Sequence, residues 1–108
     1  MPEKPELIPD EVLGTASRVL KVLAHPVRIR IVELLMQGEF SVGELAEKIS
    51  ASPAAVSQHL NRMAAHDIVA GKRTDRKVYY RVVNVNASNL IDCLKRHGDG
   101  RRRQDRKK

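Results

Sequence analysis

Cysteine occurs once in the 108 residues, as Cys93, so no disulfide can form within the chain and a reducing, cytoplasmic setting is expected. Tryptophan is absent, and Phe40, Tyr79 and Tyr80 are the only aromatic residues. The core must therefore be aliphatic, which suits packed helices better than a β-sandwich. No run of about 18 apolar residues exists, so no membrane span is expected. The acidic N-terminus has no apolar segment, which argues against a secretory signal. No glycine-rich phosphate loop, Ser/His/Asp arrangement or pair of catalytic carboxylates stands out, so an enzyme is not expected.

What is present is positive charge. The formal net charge is +7, a balance that favours polyanions such as nucleic acid or an anionic membrane surface. The charge is uneven. Residues 1–11 hold one lysine and four acids, whereas residues 101–108 hold six basic residues and one acid. The length allows one domain with a modest core, to which burial against a second copy would add. The expected organisation is a flexible acidic arm over 1–9, a folded domain over 10–97, and a basic, disordered tail over 98–108.

Within the domain, periodicity predicts a helix over Asp10–Leu23 with Asp10 as N-cap. A second helix starts at the His25-Pro26 break and ends at Gly38. His25 is expected to cap or pack at that junction. Ser41 and Glu44 have capping-box spacing and open a helix to Ile49. After a short turn, Ser52 caps a helix that begins with Pro53 and ends near His66, whose charge suits that helix end. Ile68-Val69-Ala70 and Val78–Val82 read as two strands, with Val78, Tyr80 and Val82 on one face and a charged tip between them. A last helix is expected over Ala87–Arg96, stopped by Gly98 and Gly100. The fold class is thus mainly α with a two-stranded β-wing.

Helix, short turn, helix and basic hairpin form a winged helix-turn-helix pattern. The first helix must brace the second, so that the second can enter a major groove. Val42, Leu45, Ile49, Val56 and Leu60 supply the apolar seam. Ser52, Ala54, Ala55, Ser57, Gln58, Asn61 and Arg62 give the second helix a small, polar outer side. Gln58 can pair with adenine and Ala55 can touch a thymine methyl, while Ser57 and Arg62 suit phosphates. His59 either touches DNA or fixes the helix. Lys72, Arg73, Arg76 and Lys77 in the hairpin suit phosphates, which give affinity with little sequence information. The expected partner is double-stranded DNA.

From Val22 to Val83 the chain resembles the ArsR/SmtB family of winged-helix repressors, through LAHPVRIRIVELL, EFSVGELAEKI, SPAAVSQHLNRM and KVYYRV. The resemblance implies a homodimer joined by the first and last helices, here through Leu13, Val19, Leu20, Leu23, Leu90, Ile91 and Leu94. It also implies repression relieved by a metal ion or a redox change. Yet the family's CxC positions fall on Ser41 and Gly43, and its last-helix metal positions on Asn84, Asn86, His97 and Gly100. The two-cysteine switch of members sharing EFSVGEL falls on Glu33 and about Asp99. These sensing sites therefore look lost. A transition-metal effector would have only Cys93 and His97, one helical turn apart, to use. Three alternatives stay open: a repressor sensed through a partner protein, a repressor that needs no ligand at all, and an interaction module that has lost DNA recognition.

Overall fold

A computed structural model of the protein describes the backbone of residues 5–107 and the side chains of residues 5–98. The elements run α1 (Asp10–Leu23), α2 (Pro26–Leu35), β1 (Phe40–Ser41), α3 (Val42–Ile49), α4 (Pro53–Ala65), β2 (Val69–Thr74), β3 (Lys77–Val82) and α5 (Val85–Lys107).

Local chemistry explains most of the boundaries. α1 begins with Asp10 inside the helix and Pro9 at the cap, so Asp10 contributes charge to the first turn and not the expected cap bond. At α2 the His25 side chain accepts from the Val27 amide and Pro26 fills the first helical position. This helix stops at Leu35, before the expected Gly38. Ser41 and Glu44 form a complete capping box at the start of α3. Ser52 accepts from the Ala55 amide at the start of α4.

Both helices of the pair end in the same way. After α3, the Ala51 amide donates to the Ala46 carbonyl (3.0 Å) and the Ser50 amide to Glu47 (3.4 Å), with Ser50 left-handed at φ 56°. After α4, Ile68 donates to Met63 (3.0 Å) and Asp67 to Ala64 (3.0 Å), with Asp67 at φ 58°. These are Schellman closures, and each drops a following apolar residue back onto the helix it leaves.

The sheet has three strands in the order β1-β3-β2, all antiparallel, where two were expected. The added strand is only Phe40-Ser41, which pairs with Tyr80 and Tyr79. The wing is also longer than expected. Lys72, Arg73 and Thr74 lie within β2 and Lys77 begins β3, leaving only Asp75-Arg76 as the turn. α5 runs on to Lys107, past the expected stop at Gly98 and Gly100. A glycine ends a helix by turning left-handed. Among the described residues no glycine has a positive φ.

The core joins Val19, Val22 and Leu23 of α1 to Ile31, Val32 and Leu35 of α2. Leu45 and Ala46 of α3, Val56, Leu60 and Met63 of α4, and Ile91 of α5 complete it with Ile68, Val69 and Ala87. Leu45, Val56 and Leu60 are fully buried, so the bracing seam between α3 and α4 is built as expected. Burying such a side chain contributes about 1.5–3 kcal/mol.

Candidate nucleic-acid interface

With Val56, Leu60 and Met63 fixed in the core, α4 turns its other side outward. Ala54, Gln58, Asn61 and Arg62 are exposed there, at spacings that keep them in one stripe. Ser52 is exposed at the end of the stripe, and Ala55 and Ser57 are both half-buried along its edges. Thirteen residues make a rod about 20 Å long, and a major groove about 12 Å wide admits it.

His59 lies elsewhere. Its Nδ1 accepts a hydrogen bond from Arg28 Nε (3.1 Å), and its ring is 4.7 Å from the His25 ring, tilted by 58°. Of the two roles open to it, the structure favours fixing the helix. Arg28 also donates from Nη1 to the Val22 carbonyl at the end of α1 (2.8 Å). Partial burial holds the His59 pKa below its ordinary value of 6.5, and the neighbouring His25 and Arg28 push it the same way. Arg28 was missed at the sequence level. The partners are 31 positions apart, so no local spacing could reveal the bond.

In the wing, Lys72, Arg73, Arg76 and Lys77 are all exposed. The register divides them. Val69, Gly71, Arg73, Val78, Tyr80 and Val82 alternate onto one face, and Tyr80 and Val82 pack on the core from it. Lys72 and Lys77 share the opposite face with Tyr79 and the exposed Arg81. Arg81 was also missed, although strand alternation from Val82 could have found it.

The residues assigned to a dimer interface split into two groups. Leu13, Leu20 and Leu94 are half-exposed apolar side chains at 49%, 52% and 44%, and Leu90 is partly buried. Val19, Leu23 and Ile91 are instead buried within the subunit, and for them the expectation is corrected. The reason is helical phase. Val19 and Leu23 lie on the inner side of α1 with Val22, whereas Leu13 and Leu20 lie seven residues apart on another side.

Cys93 is half-buried and His97 exposed on α5. Among the described residues, no three side chains of metal-ligating type come together. The Asn84 side chain accepts from the Asn86 (2.9 Å) and Ala87 (3.2 Å) amides, so it serves as a cap for α5. No helix among the described residues is long and apolar enough to cross a membrane.

A braced helix with a small polar stripe, followed by a cationic hairpin, defines a winged helix-turn-helix DNA-binding regulator. The model of the bacterial regulatory protein family named arsR matches residues 25–70. The chain is 37% identical over 78 residues to the biofilm growth-associated repressor of Xylella fastidiosa, covering 72% of this chain and 68% of that protein. It therefore belongs to the ArsR family. Reduced HlyU from Vibrio cholerae has the same fold, with a TM-score of 0.76 at 29% identity over 81% of this chain and 92% of that one. So does a homodimeric winged helix-turn-helix DNA-binding domain from Mycobacterium bovis, with a TM-score of 0.73 at 27% identity over 83% of each chain.

Proposed function

We propose that the chain is a homodimeric transcriptional repressor that sets two copies of α4 into successive major grooves of a near-palindromic operator. The observation that carries this is the exposed stripe of Ala54, Gln58, Asn61 and Arg62 on a helix whose opposite side is wholly buried. Gln58 at its centre reads a base edge, while Arg62, Ser57 and Ser52 hold phosphates. Lys72, Arg73, Arg76 and Lys77 follow the flanking backbone, with Arg81 beside them. Half-sites about 34 Å apart suit a two-fold pair.

The second copy covers the outer apolar side chains Leu13, Leu20 and Leu94, which one subunit leaves open. The Mycobacterium bovis domain is described as homodimeric, and the Xylella fastidiosa relative as a repressor. The basic segment after Gly98 adds phosphate affinity. Release of the operator falls to an effector or a partner protein that does not use the family's cysteine positions, since Ser41, Gly43 and Glu33 cannot supply thiolates.

The test is a shift assay on the DNA upstream of the protein's own coding region, with wild type and Gln58→Ala. Gln58→Ala should weaken binding by about 1–3 kcal/mol and relax preference at one base position. Equal loss on all duplexes would remove Gln58 as a base reader. Equal binding of wild type to every duplex would overturn sequence-specific recognition.

A further inference from the structure

We propose that Arg28 is a positioning residue for DNA recognition: its guanidinium ties the recognition helix to the body of the subunit through His59, and the tie holds only while His59 is unprotonated. This rests on α4 being the recognition helix.

The geometry is specific. One guanidinium joins three helices, donating from Nε to His59 Nδ1 on α4 (3.1 Å) and from Nη1 to the Val22 carbonyl at the end of α1 (2.8 Å), while its backbone belongs to α2. The remaining grip on α4 is largely the apolar seam of Val56, Leu60 and Met63. Apolar contact is not directional and tolerates small slides and rotations. The planar Arg fork fixes direction as well as distance. Bidentate base contacts depend on the angle at which the helix enters the groove, so the tie acts on specificity more than on general affinity.

Both acceptors of Arg28 are neutral. Among the described residues the only ion pair within salt-bridge distance joins Arg30 to Glu33, so no carboxylate neutralises Arg28. The charged or titratable groups acting on His59 are His25 and Arg28, at the start of α2 and within it. α1 offers the cluster only the Val22 carbonyl, and no carboxylate of α1, α3, α4 or the sheet is bonded to His25, Arg28 or His59. A proton on Nδ1 turns that atom from acceptor to donor. The bond from Arg28 then breaks, and like charges face each other at the same place. His25 adds to this, because its ring is 4.7 Å from that of His59.

The experiment measures binding of the full-length protein to its operator duplex and to a scrambled duplex at fixed salt, at about pH 7.5 and about pH 5.5. The variants are Arg28→Ala, Arg28→Lys, His59→Ala and His59→Asn. At the higher pH, Arg28→Ala and His59→Ala should lose about tenfold in operator affinity, as expected for one hydrogen bond to a charged group. Their affinity for the scrambled duplex should stay within about twofold, since that is set by phosphates. His59→Asn places an amide oxygen where Nδ1 was and should recover most of the loss. Arg28→Lys keeps the charge but not the fork, and should fall between wild type and Arg28→Ala; it is the informative variant if Arg28→Ala does not fold. Wild type should lose operator preference at the lower pH, and His59→Asn should lose less. Wild-type discrimination in Arg28→Lys, or superimposable pH profiles of wild type and His59→Asn, would overturn the proposal. A wild-type protein without preference for any duplex would instead overturn DNA recognition itself.

Discussion

Gly71 and Tyr80 stand opposite each other in the wing, and a Cβ on Gly71 would lie 3.0 Å from Tyr80 Cε1 and 2.8 Å from Val78 Cγ1. The glycine is needed because the neighbouring face is already filled by an aromatic ring and a β-branched side chain. Val78 cannot turn away freely, since both γ-carbons restrict χ1. Gly71→Ala should therefore destabilise the protein by about 1–3 kcal/mol, as overpacking does. Urea unfolding measures the loss, and hydrogen exchange should place it in β2 and β3. An unchanged midpoint would mean that the ring moves aside without cost.

The turn between α3 and α4 holds Ser50 in the left-handed region at φ 56°. For a residue with a Cβ this costs about 1–2 kcal/mol, which glycine avoids. Glycine also loses more chain entropy on folding. The balance favours Ser50→Gly by about 0.5–1 kcal/mol. Thermal unfolding should show a rise in midpoint with operator binding retained. A fall would show that the Ser50 side chain contributes something its hydrogen bonds do not reveal.

The helix pair was legible in the sequence because its signals are local. Ser41 with Glu44, and Ser52 with Pro53, mark helix starts within four residues, and the spacing of Val56, Leu60 and Met63 marks the inner side. The third strand was not legible. Phe40-Ser41 is too short to show alternation, and it is a strand only because β3 lies beside it. The Arg28–His59 bond is likewise tertiary. Core and outer residues of α1 are both leucine or valine, so periodicity identified a helix but not which of Val19, Leu20 and Leu23 faces inward. α5 passes Gly98 because glycine lowers helix propensity by about 1 kcal/mol without forbidding the helix.

The salt response of DNA binding tests the wing. Each phosphate neutralised by a cation releases counterions, and log affinity falls with log salt by about 0.9 per neutralised phosphate. Arg73 and Arg76 are exposed at and beside the Asp75-Arg76 turn. Arg73→Ala with Arg76→Ala should lower the slope by about one for each phosphate that is no longer neutralised. Titrations at several salt concentrations give the slope directly. The wild-type slope in the double variant would take these two residues out of the interface.

Exposure divides the apolar residues of α1 into two kinds of test. Leu20 is half-exposed, so Leu20→Glu leaves the subunit core intact and places charge in the proposed dimer contact. It should shift sedimentation from dimer to monomer and weaken operator binding. Leu23 is 2% exposed, and Leu23→Ala should lower subunit stability by about 2–5 kcal/mol through the cavity it leaves. A dimer that survives Leu20→Glu would place the contact elsewhere.

Stability should depend on pH through His59. In the unfolded chain its pKa is the ordinary 6.5, while in the folded protein burial, His25 and Arg28 hold it lower. Between these two values the unfolded chain binds the proton more readily, so protonation there favours unfolding. The His59 contribution is therefore complete above about pH 6.5, and it is lost as pH falls through the folded value. His59→Asn keeps an acceptor and does not titrate. The difference in unfolding free energy between wild type and His59→Asn should be constant at neutral pH and move against wild type in the acidic window. Chemical unfolding at successive pH values from about 8 to about 5 measures it. A difference that is flat across the whole range would mean that His59 takes up its proton in the fold as easily as in the unfolded chain.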